Sequence, residues 1–166
     1  MSRLEIAIEQ IERVRKYANS LLDNIDEADW FRQPAEGVTH IAWQVGHMTL
    51  SQYRLALRRI RGELATDAEF VPAGFQKLFG KGSTPSSDRS IHPDPVVIRA
   101  AFDNVHQRVI AETRTVDDAV LDEPVDPLHP MFSTKHGALI WAAQHEVSHV
   151  GQIGLLRRLF GNQALW

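Results

Sequence analysis

Two histidines, His145 and His149, stand four residues apart in a strongly helical stretch late in the chain. On an α-helix that spacing puts both imidazoles on one face, one turn apart, so a single rigid element can present two nitrogen ligands to one divalent ion. The intervening Glu146 completes the string H-E-x-x-H, which is also the zinc-protease signature with the glutamate as general base. A zincin usually draws its third ligand from downstream. Here seventeen residues follow His149, and none is His, Asp, Glu or Cys. A third protein ligand is therefore expected from upstream, and the protease reading weakens.

The upstream candidates are His40, His47, His92, His106, His129 and His136. His92, His129 and His136 fall in loops or at a helix start, where a solvent-exposed histidine is the plain reading. His106 follows Phe102 by one turn and reads as a boundary histidine. His40 and His47 share one polar stripe with Gln44 and Ser51. They are seven residues apart, about 10.5 Å along a helix axis, so both cannot bind one ion. His47 sits mid-helix, as His145 and His149 do, so packing of facing helices can bring the three to one level.

Four amphipathic segments must do that positioning. The first runs from about Arg3 to Ile25, with Leu4, Ile8, Ile11, Val14, Ala18, Leu21 and Ile25 at helical spacing. The second runs from a Thr39 N-cap to Arg61, with Gly62 as the stop. The third opens on Asp94 and Pro95, a good cap and a favoured first position, and ends near Arg114. The fourth runs from Ser133 or Thr134 to Phe160. Gly151 and Gly154 lie inside it, each costing roughly 1 kcal/mol relative to Ala, and point to a neighbouring helix at close range. No segment alternates strictly enough for a sheet. The expected fold is an all-α four-helix bundle, one domain over residues 1–166, with long connections between helices 2–3 and 3–4 that permit non-sequential neighbours. The longer connection, Glu63 to Pro93, carries Phe70, Phe75 and Phe79, more aromatic surface than a solvated linker needs. It reads as a wall over the metal site or as a strap over apolar surface.

Composition narrows the function classes. The 166 residues are 43% hydrophobic and 23% charged, with a formal net charge of −3. No basic stripe recommends nucleic acid. The chain has no cysteine, so a metal would need nitrogen and oxygen ligands, and a reducing cytoplasm fits. No apolar run approaches the ~18 residues that span a bilayer, and residues 1–5 open no signal-peptide core.

The residues His40-Ile41-Ala42-Trp43-Gln44-Val45-Gly46-His47-Met48, the Asp-Pro start of the third helix and His145-Glu146-Val147-Ser148-His149-Val150-Gly151-Gln152-Ile153 resemble the DinB-like superfamily of metal-binding four-helix bundles. The resemblance covers nearly the whole chain. It implies that His47, His145 and His149 hold a divalent ion, zinc or nickel, with an open position. It also implies a metal-dependent enzyme acting on a small molecule by thiol S-transfer, with a low-molecular-weight thiol, or by hydrolysis, in a homodimer. A non-catalytic metal-containing binding or sensing protein is the alternative.

The neighbours of the three histidines have readings of their own. Glu146, offset by about 100° from His145, is the candidate general base or else a helix–helix hydrogen-bond partner. Gln152 and Gln44 either orient a ligand or join helices, and spacing does not separate the two. Trp43 and Trp141 read as core. Arg54, Arg58, Arg59 and Arg61 read as a solvated face that complements the helix dipole.

Overall fold

The computed structural model describes residues 1–165; Trp166 lies outside the described residues. Helix α1 (Arg3–Leu22) starts at Ser2, whose hydroxyl accepts from the Glu5 N–H while Glu5 reaches back, a capping box. Its apolar stripe, including Ala7, Ile11, Val14, Ala18 and Leu21, is buried. Helix α2 (Ile41–Tyr53) is capped by His40, whose Nδ1 accepts the Trp43 N–H at 3.1 Å. Thr39, the expected cap, instead accepts from the Gln44 amide. The axis of α2 continues through a π-helical turn (Arg54–Arg58) and one α-turn (Arg59–Arg61) before Gly62 at φ +88°.

The connection after Gly62 folds down as a 3₁₀ turn and a short helix α3 (Phe75–Phe79), with both terminal phenylalanines fully buried. Helix α4 (Pro95–Thr113) opens on the Asp94 cap and Pro95, as the sequence predicts. Helix α5 (Lys135–Leu159) is capped by Thr134.

Between α4 and α5 a two-stranded antiparallel hairpin pairs β1 (Pro124–His129) with β2 (Phe132–Thr134). The expected all-α four-helix bundle stands, with this small hairpin added where no strand was expected. Two prolines disguise β1, and they are tolerated because a two-stranded ribbon consists of edge strands.

Around the bundle α1 packs on α5, α5 on α2, and α2 on α4. The first and second long helices are thus not neighbours in space, and α5 lies directly beside the helix that carries His47. One core fills the space between them, from Ile11 and Ala18 through Val45, Met48 and Phe102 to Leu139 and Ile153. Among the described residues no helix is long and apolar enough to cross a membrane.

Candidate metal centre

α2 contributes His47 and α5 contributes His145 and His149. One ring nitrogen from each lies within 4.8 Å of the others, so the three histidines are grouped where they could hold one ion. Ring centroids are 4.8 Å apart for His47 and His149 and 4.5 Å apart for His145 and His149.

Two of the rings are held from behind. His47 Nδ1–H donates to the Phe79 carbonyl oxygen at 2.7 Å, and His149 Nδ1–H donates to Gln44 Oε1 at 2.5 Å. Those bonds fix the tautomer and leave each Nε2 lone pair free, as in metal-ligating histidines generally. Gln44 is oriented in turn by donating to Gln152 Oε1 at 2.9 Å and to Thr39. The glutamine pair therefore links the two helices and aims a ring at once. Trp43 stacks on His47 at 4.6 Å and donates to Ser83 Oγ, so it braces a ligand rather than only filling core.

Burial, and then the neighbouring imidazoles, push His145 down to about 4 and His149 down to about 3. Burial also lowers His47. All three are neutral at neutral pH, the state in which imidazole binds metal. Three neutral nitrogens, two with fixed tautomers, suit a divalent cation.

Glu146 departs from the general-base expectation. It is 2% exposed, and its carboxylate faces away into the core. Arg15 Nε donates to Oε1 at 2.8 Å and Arg15 Nη2 to Oε2 at 3.2 Å, while Gln52 donates to Oε2 at 3.0 Å. Arg15 also donates to the Phe102 carbonyl oxygen, so this ion pair joins all four long helices. A carboxylate committed in this way holds α5 to α1 and α2.

Two of the other histidines lie away from the cluster. His40 is wholly buried, beside His92 and Phe31. His106 lies near Arg15, and burial lowers it to about 3.

Beside the cluster opens a cleft of about 500 Å³ whose lining includes His47, His145, Trp141 and His129 together with Arg54, Arg59 and Lys81. Sequence reasoning missed His129 because the hairpin that presents it was not legible. It read Arg54 as part of a solvated face although its spacing from His47 is helical, and it missed Arg59 because the π turn that re-aims Arg59 leaves no clear mark in the residue pattern. The long connection does supply part of the wall, through Lys81, and it also fixes a ligand through Phe79.

A family model described as the DinB superfamily matches residues 10–153. The chain belongs to the DinB superfamily. The fold of this DinB-superfamily chain is similar to that of a conserved protein from Enterococcus faecalis, at 14% identity and TM-score 0.73 over 96% of this chain and 97% of that one. It is also similar to that of YfiT from Bacillus subtilis, described as a probable metal-dependent hydrolase with an unusual four-helix bundle topology. That match has 18% identity and TM-score 0.65, and covers 98% of this chain and 91% of that one. No curated protein matches the sequence.

Proposed function

We propose that this chain is a cytoplasmic metal-dependent enzyme that holds a zinc or nickel ion through His47, His145 and His149 and acts on a small molecule, by thiol S-transfer ahead of hydrolysis. The observation that carries the reading is that two of the three convergent imidazoles, His47 and His145, line an open cleft large enough for a small substrate. A structural ion would be expected in a closed site. A divalent ion at such a site lowers the pKa of a water or thiol at its open position. The description of YfiT as a probable hydrolase supports the hydrolytic branch. Thiol transfer needs less from the protein. No Asp or Glu is among the residues lining the cleft, and Glu146 is engaged in the core. A thiol acidified at the metal requires no carboxylate base.

The same lack of a carboxylate favours a second reading, a metal-containing binding or sensing protein without turnover. We also propose a homodimer, formed through the outer face of α5. A screen of metal-loaded protein with low-molecular-weight thiols and electrophiles, beside ester and amide substrates, separates these readings. Thiol consumption that vanishes in His145→Ala supports the transferase. Ester or amide cleavage alone supports the hydrolase, and metal-dependent ligand binding without turnover supports the sensor.

A further inference from the structure

The run of arginines at the end of α2 divides into two kinds. Arg58 pairs with Glu63, and Arg61 pairs with Asp67 and Glu112. Arg54 and Arg59 make no ion pair among the described residues. Arg54 donates to the Gln76 side-chain carbonyl, and Arg59 donates to the Pro127 carbonyl oxygen and lies over the Phe132 ring. Both half-buried guanidinium groups line the metal cleft, with Lys81 nearby.

The backbone is bent to achieve this. At about 100° per residue, a regular α-helix would put Arg58 about 20° from the direction of His47 and Arg59 about 120° away. The chain instead makes a π turn, in which the Arg59 N–H reaches back five residues to the Arg54 carbonyl oxygen. The extra residue shifts the register by one. Arg59 then turns to the cleft beside His47, Ser51 and Leu55, and Arg58 turns out to solvent. Such bulges are uncommon and often mark functional sites. Burial, and then the neighbouring Arg58, lower both Arg54 and Arg59 from the ordinary arginine value. They are cations partly stripped of water with no acid in ion-pair contact, and Asp126 acts on Arg59 only from longer range. His129 adds to the same wall: its Nδ1 accepts the Met131 N–H, so the neutral ring keeps Nε2–H as a donor.

We propose that Arg54, Arg59 and Lys81 form an oxyanion receptor beside the three histidines, so that the substrate carries a carboxylate or phosphate group while its reacting atom meets the metal. This rests on the proposed metal site and adds the substrate class to it. Planar guanidinium groups suit both oxyanions, and the bonds would be charge-assisted.

The test uses the full chain in two forms. Cobalt-loaded protein is titrated with mercaptosuccinate and with 2-mercaptoethanol, read by the thiolate-to-cobalt absorption. Metal-free protein is titrated calorimetrically with succinate and with inorganic phosphate. Each titration is repeated on the Arg54→Gln/Arg59→Gln double variant and on Arg54→Lys, which keeps the charge. The expected result is that wild type binds mercaptosuccinate at least about tenfold more tightly than 2-mercaptoethanol, the weight of one charge-assisted bond. The double variant loses that preference while its 2-mercaptoethanol affinity stays the same, and Arg54→Lys retains part of the preference. In the metal-free protein the oxyanion weakened more by the double substitution identifies the group. Equal binding of the two thiols by wild type, or an unchanged preference in the double variant, overturns the receptor. If the protein takes up no cobalt, the metal reading fails by itself. The metal-free titrations then decide the receptor: about tenfold weaker binding in the double variant supports it, and unchanged binding overturns it.

Discussion

Protonation decides whether three imidazoles repel or accept a cation, and here burial settles it for His145, His149 and His47 alike. The same physics makes the metal-free protein sensitive to acid. His40 falls to about 4 and His106 to about 3, chiefly by burial, with His92 and Arg15 respectively as the next causes. An unfolded histidine titrates near 6.5. Below that pH the unfolded chain takes up protons that the folded chain refuses, so stability present above about pH 6.5 is lost as pH falls toward 4. Wholly buried His40 alone contributes up to about 1.4 kcal/mol per pH unit in that window. Urea midpoints of metal-free protein should drop from pH 7.5 to pH 5.0; equal midpoints would contradict the burial of these rings. Glu146 gives a second residue-scale prediction. Glu146→Gln leaves the Arg15 guanidinium buried without its counter-charge, costing about 3 kcal/mol, or roughly 6–12 °C in Tm, while the refolded protein still takes up metal. An unchanged Tm with lost turnover would restore the general-base role. The two α5 histidines were legible because their spacing is local. The fate of Glu146 was not, because its partner Arg15 is 131 residues away in sequence and one helix away in space.

At the scale of elements, the segment between α2 and α4 is tied to the site by one close approach. Gly46 packs against the Phe79 ring so tightly that an added Cβ would lie 2.3 Å from Phe79 Cγ. The ring is itself wholly buried and its carbonyl holds His47. Gly46→Ala should therefore cost about 1–3 kcal/mol by overpacking and also weaken metal binding, because moving Phe79 releases the His47 ring. Calorimetry and a metal competition titration read the two effects. Full stability with unchanged affinity would show that α3 is not coupled to the ligand. Apolar periodicity and caps made the four long helices legible, down to Asp94 and Pro95. The hairpin was hidden by Pro124 and Pro127. The π turn was hidden because Arg54–Arg58 keeps an ordinary helical composition, and the widened register follows from packing.

At the scale of the molecule, the outer face of α5 is not explained within one chain. Val147, Leu155 and Leu159 are each about half exposed and lie with Gly151 at four-residue intervals, and a Cβ on Gly151 or Gly154 would touch nothing. Among the described residues no helix approaches those glycines at close range, and Tyr17 and Leu21 of α1 only border the hollow beside them. Light scattering at micromolar concentration should return the mass of a homodimer, and Leu155→Arg should return half of it; a wild-type monomer would contradict the proposed interface. The order α1–α5–α2–α4 around the bundle has the more direct consequence for function. It brings the α2 histidine beside the α5 pair, across about a hundred residues of sequence. The most direct measurement is elemental analysis of purified wild type beside His47→Ala, His145→Ala and His149→Ala. Wild type should hold about one divalent ion per chain, and each variant should lose it while keeping its helical circular dichroism. Full occupancy in His47→Ala would contradict the three-histidine site.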